Sequence, residues 1–203
     1  MFTAITSAFL LGLSAGLAPG PLMTLVIAQS LRHGPREGCK TALAPLLTDA
    51  PIIALTLVLV TRLAELHRVL GALSLAGGVF VLYLAVDTFR PARVETDAPA
   101  AAPRAWLQGV LTNLLNPHPW LFWLTVGAAT LARTIAESWL AAGAFLGVFY
   151  LLLVGSKVLL ALIVGRSREF LNGRPYRLIL QCLGALLAGF AVLLLRDGWR
   201  RFQ

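Results

Sequence analysis

Six runs of eighteen or more mostly apolar residues, each closed off by a short charged stretch, leave this chain few environments to fold in except a lipid bilayer. The runs cover residues 4–31, 41–60, 70–89, 105–131, 139–164 and 178–195, within about four residues at each end. A helix needs about 20 apolar residues to cross a hydrocarbon core of about 30 Å, so each run is long enough to span. Composition agrees: 58% of the chain is hydrophobic and 13% charged, a balance that water does not support. The runs take up most of the 203 residues, so little is left over for a soluble domain, and no enzymatic activity is expected.

The net charge of +8 sits in the stretches between the runs, where Lys and Arg flank membranes. No aromatic and basic stripe accompanies them, so a nucleic-acid partner is not expected. Cys39 and Cys182 lie in unrelated contexts without a Cys-x-x-Cys or a nearby His pair, so neither a metal centre nor a cofactor is expected. The first run lacks a basic n-region and continues past Pro19, Gly20 and Pro21, which marks it as a membrane helix rather than a signal peptide.

The runs divide into two halves, about 1–89 and 105–203, joined by a Pro- and Ala-rich linker at 90–104 within one transmembrane domain spanning 1–203. The first run of each half is long and carries a Pro-x-Pro near its centre: Pro19-Gly20-Pro21 in one, Pro117-His118-Pro119 in the other, after Asn116. Proline lacks an N–H and clashes with the preceding turn, so both helices should break there. An odd number of spans per half inverts the second half across the bilayer. The expected fold is therefore all-α, with six transmembrane helices arranged as two inverted three-helix repeats whose first helices are broken. Secondary transporters use such repeats and bind solutes where discontinuous helices meet.

Pro21 and Pro119 suit the first position of a new helical segment. The amides that follow lack partners and, with the helix dipole, favour an anionic group such as a carboxylate. Two charged residues lie deep within runs: Asp49 in the second and Lys157 in the fifth. Charge at that depth is costly, by about 3 kcal/mol on insertion scales, and marks functional candidates. Lys40 to Asp49 and Lys157 to Arg166 are both nine residues apart. At about 1.5 Å per helical residue, both charges lie about 13 Å below one surface. The expectation is that they meet across the two halves, either as a resting ion pair or as separate contacts for the ammonium and carboxylate of a zwitterion, with Asp49 also able to exchange a proton for substrate. Thr24, Gln29, Thr48, Asn113, Asn116, Ser156 and Gln181 are polar candidates for the same cavity or for interhelical hydrogen bonds. The glycine pairs Gly12/Gly16 and Gly143/Gly147 should let helices approach closely.

The stretch FLLGLSAGLAPGPLMTLV at 9–26, the basic segment RHGPREG at 32–38, the Asp-bearing second helix, and WLQGVLTNLLNPHPW at 106–120 together resemble the lysine-exporter (LysE/RhtB) family across essentially the whole chain. The resemblance implies a multi-pass protein of the bacterial inner membrane that exports amino acids or related small metabolites. It also implies coupling to an ion gradient, the proton being the expected ion, and an oligomeric assembly such as a homodimer. Pro19, Gly20, Pro21, Asp49, Asn116 and Pro117 fall on the family's motif positions. Pro45 and Pro51 beside Asp49, and the Pro-His-Pro of the second break, depart from the family pattern and weaken the case for cationic amino acids. Two alternatives remain open: export of a divalent metal or other ion, and a non-transport role in membrane assembly.

Overall fold

A computed structural model of the chain describes residues 1–59, 63–89, 104–167 and 174–201. The described residues are helical throughout apart from short turns. The helices are α1 (Phe2–Leu17), α2 (Pro21–His33), α3 (Pro35–Ala42), α4 (Ala44–Leu59), α5 (Leu63–Phe89), α6 (Ala105–Leu114), α7 (Pro117–Phe122), α8 (Ala128–Glu137), α9 (Trp139–Ser167) and α10 (Arg174–Arg200), with a π-helical turn at Trp123–Gly127 between α7 and α8. The linker placed at 90–104 lies outside the described residues, save Arg104, which precedes α6.

Among the described residues, three helical stretches are long and apolar enough to cross a bilayer: Leu70–Phe89, Trp139–Ser167 and Arg177–Arg200. α1 and α2 make a fourth if counted as one span, bent by 60° at the Pro-Gly-Pro. Trp139 and Trp199, at the start of α9 and the end of α10, are both strongly exposed, as suits side chains at the level of lipid headgroups.

The break between α1 and α2 has a simple cause. Pro19 and Pro21 carry no N–H for the carbonyls of Ala15 and Leu17, so the ladder stops, and Gly20 runs extended before Pro21 opens α2. In the second half α6 ends at Leu114 and the chain restarts at Pro117, not at Pro119 as the spacing suggested. The reason is Asn116, whose side chain accepts from the His118 N–H at 3.1 Å and thereby sets the helix start one residue later, at Pro117.

The charged stretch from Arg32 to Lys40, between the first two apolar runs, is not a loop: most of it is α3. Gly34, the one described residue with a left-handed φ (95°), closes α2 by donating to the Ser30 carbonyl at 3.0 Å, and Pro35 starts α3 at once. α3 wedges among its neighbours through glycines. A Cβ on Gly38 would meet Ser30 and Ala161, one on Gly109 would meet Thr41, and one on Gly165 would meet Pro35. The chain from Lys40 to Asp49 is therefore not one straight helix. It breaks at Leu43, whose carbonyl accepts from Leu46 only three residues on, with Pro45 in the first turn of α4.

Two packed regions result. Phe145, Phe149, Trp123, Ile52 and Ala8 bring together α9, the π-turn, α4 and α1. Leu84, Ala85, Leu187 and Ala191 join α5 to α10, with Leu25 of α2 packed against them. A Cβ on Gly12 would come within 2.6 Å of the Phe149 carbonyl, and one on Gly16 within 2.8 Å of that of Leu152, so α1 and α9 touch backbone to backbone. Gly143 and Gly147 behave otherwise: no described atom lies within 4 Å of a Cβ there, so of the two pairs only the first brings described helices together. Gly12→Leu is thus expected to lower the melting midpoint in detergent sharply, since overpacking costs about 1–3 kcal/mol, whereas Gly143→Leu leaves it unchanged. Equal effects of the two substitutions would contradict this packing.

Candidate functional site

Both breaks open onto one cavity of about 310 Å³, a volume suited to a small metabolite. Its wall includes Pro19, Gly20, Asp49, Asn113, Asn116, Pro119 and Lys157 of the residues singled out from the sequence. Pro21, Thr24, Thr48 and Pro117 are not on the wall but support it. Pro21 and Pro117 start the two resumed helices. Thr24 donates to the Gly20 carbonyl at 3.0 Å, and Thr48 accepts from Asn113 at 2.7 Å. Gln29 bonds Gln108 instead, Ser156 bonds back to the Leu153 carbonyl, and Gln181 is exposed on α10.

Asp49, 3% exposed, is held by three neutral donors. Asn113 Nδ2 reaches one carboxylate oxygen at 3.2 Å; Trp123 Nε1 and Tyr150 Oη reach the other, each at 3.3 Å. All three contacts are at the long end of the hydrogen-bond range, so a stronger cationic donor can displace them at small cost. Trp123 and Tyr150 escaped the sequence reading, because an aromatic inside an apolar run reads as packing. The available signal was Tyr150 standing seven residues before Lys157, two turns along one face of α9.

Lys157, 4% exposed, does not pair with Asp49: none of the ion pairs among the described residues joins the two, although both line the cavity. Its Nζ donates to the Gly16 carbonyl at 2.9 Å, to that of Ala15 at 3.1 Å and, less closely, to that of Leu153 at 3.4 Å. The ion-pair expectation fails because the broken end of α1 presents free carbonyls nearer to the ammonium. The two charges stand as separate poles of one cavity.

The two breaks are finished differently. At the second, Asn116 caps α7 and the Trp120 indole donates to the Leu114 carbonyl at 2.8 Å, so neutral groups close both ends. At the first, Gly20 has no side chain to cap α2, and the amides of Leu22 and Met23 have no carbonyl of an earlier helical turn to bond. Gly20, Leu22 and Met23 all line the cavity, and a Cβ added to Gly20 would meet no described atom within 4 Å. Phe122, Trp123 and Phe149 supply an apolar wall, stacked or edge-on at centroid distances of 5.3–5.7 Å. Ala18, Pro19 and His118 are exposed and stand at the mouth.

The described residues are those of a helical membrane protein with two interrupted helices around one polar-ended cavity. Residues 13–198 match the model of the LysE type translocator family, and the chain belongs to that family. It is also similar to a protein of Escherichia coli (strain K12) described as "Uncharacterized membrane protein YahN", 26% identical over 189 residues that cover 89% of this chain and 83% of that one. No solved structure matches. Membership in a translocator family points to transport.

Proposed function

We propose that the chain is a secondary transporter of the bacterial inner membrane that exports zwitterionic amino acids or closely related metabolites. The observation that carries this reading is the pairing, on one cavity wall, of a loosely held acid at Asp49 with the uncapped amides that open α2. The substrate ammonium displaces the long contacts at Asp49, where a charge-assisted bond is the stronger one. Its carboxylate lies at the start of α2, where dipole and free amides favour an anion, with Lys157 adding positive potential from beneath. The side chain lies against Phe122, Trp123 and Phe149. Among the described residues the wall offers Asp49 alone as an acid, which the backbone ammonium takes, so an uncharged side chain fits better than a cationic one.

Six spans in two inverted halves suit this reading, because the broken first helices then approach the cavity from opposite faces. Export with proton exchange at Asp49 and assembly as a homodimer belong to the same proposal. The test is growth of cells expressing the chain on toxic amino-acid analogues, with a parallel panel of metal salts. Raised tolerance to analogues of neutral, apolar amino acids is expected, with no change for cationic analogues or metals. A phenotype confined to metal salts would require the metabolite reading to be dropped.

A further inference from the structure

Lys157 occupies a setting that its role in the cavity does not explain. A buried ammonium normally finds a carboxylate, because an unpaired charge in lipid is expensive. The carboxylate of Asp49 lines the same cavity, yet Nζ points instead into the carbonyls of Ala15, Gly16 and Leu153. The sequence makes two of those carbonyls available. Pro19 stands where an N–H would bond the Ala15 carbonyl, and Gly20, which would serve Gly16, is extended and outside the helix. Bare Gly12 and Gly16 let α9 come close enough for the side chain to reach them. Satisfying orphan carbonyls does not itself require charge. The corresponding break in the other half serves its Leu114 carbonyl with a neutral indole N–H.

The geometry points to a monovalent-cation seat at the broken C-terminal end of α1, filled by the Lys157 ammonium as a tethered cation. Carbonyls at the end of a half-helix, carrying its negative dipole end, are the groups that coordinate sodium in discontinuous membrane helices. Here the chain brings its own cation, covalently fixed to α9, so α1 and α9 are held together without a bound metal ion. With the ammonium in place a sodium ion finds no free carbonyls there, so sodium is not the coupling ion at this position. That last consequence rests on the export reading; the cation seat does not.

The test is thermal unfolding of the purified full chain in detergent, in sodium chloride and in choline chloride at equal ionic strength. Unmodified protein and Lys157→Arg are expected to melt alike in the two salts. Lys157→Ala leaves the carbonyls open: it should melt lower in choline and recover by about 5 °C or more in sodium. Lys157→Met, which fills the space with a neutral chain, should melt low in both. A sodium response in the unmodified protein, or identical melting of Lys157→Ala in the two salts, overturns the proposal. Should Lys157→Ala yield no folded protein in either salt, the other two decide. Folding of Lys157→Arg but not Lys157→Met supports the need for a cation; failure of both, or Lys157→Met at full stability, refutes it. Export is read by analogue tolerance and the seat by this salt response, so each reading can fail without the other.

Discussion

Asp49→Asn is expected to cut export of the favoured analogue by about 30- to 1,000-fold while the protein still inserts and melts close to the unmodified chain. The magnitude follows from removing one partner of a buried, hydrogen-bonded charge contact, about 2–4 kcal/mol, at about 1.4 kcal/mol per factor of ten. The side chain's size hardly changes. Asparagine keeps one oxygen to accept from Asn113, while its NH₂ faces Tyr150, whose hydroxyl turns to accept, and Trp123, whose indole N–H loses its acceptor. One long hydrogen bond is lost, which offsets part of the gain from no longer burying a carboxylate. What disappears is attraction for an ammonium group. The experiment compares analogue tolerance of cells carrying each version at matched membrane abundance. Undiminished tolerance at equal abundance would remove Asp49 from the site.

How far the sequence anticipated this arrangement depended on the range of the interaction. Helix breaks are local, so Pro19, Pro21 and Pro117 announced them directly. Asp49 and Lys157 stood out because charge inside an apolar run is rare. The partner of each charge was not legible. Lys157 reaches carbonyls some 140 positions earlier, and that contact depends on α1 and α9 meeting at Gly12 and Gly16. A Gly-x-x-x-Gly spacing shows that a close approach is permitted, not which helix arrives: Gly143 and Gly147 have the same spacing, yet no described atom lies within 4 Å of a Cβ added at either. The symmetry of the two Pro-x-Pro motifs pointed to Pro119 as the helix start, whereas Asn116, a cap present in the residues, sets it at Pro117. α3 was missed because three charged residues and a glycine in eight positions read as a loop. Its helical state depends on glycine contacts with α2, α6 and α9 rather than on its own propensity.

Trp123→Ala should prevent accumulation of folded protein, whereas Trp123→Phe should fold and export poorly. Among the described residues Trp123 heads the fully buried side chains by volume, 1% exposed, and packs edge-on against Phe122 and Phe149 at 5.3 and 5.7 Å. Truncation to alanine opens a large void in the region shared by α4, α9 and the π-turn, with a cost of about 3–5 kcal/mol, a large part of what holds a domain folded. The same change removes the indole donor from Asp49. Phenylalanine separates the two losses: it restores most of the aromatic area and keeps the wall apolar, but returns no N–H. The carboxylate then rests on Asn113 and Tyr150 alone, free to shift from the orientation that meets an ammonium. Detergent melting and analogue tolerance, read together, give a distinct pattern for each role. Near-normal export by Trp123→Phe would make the residue a packing element only, and a well-folded Trp123→Ala would contradict its place in the core.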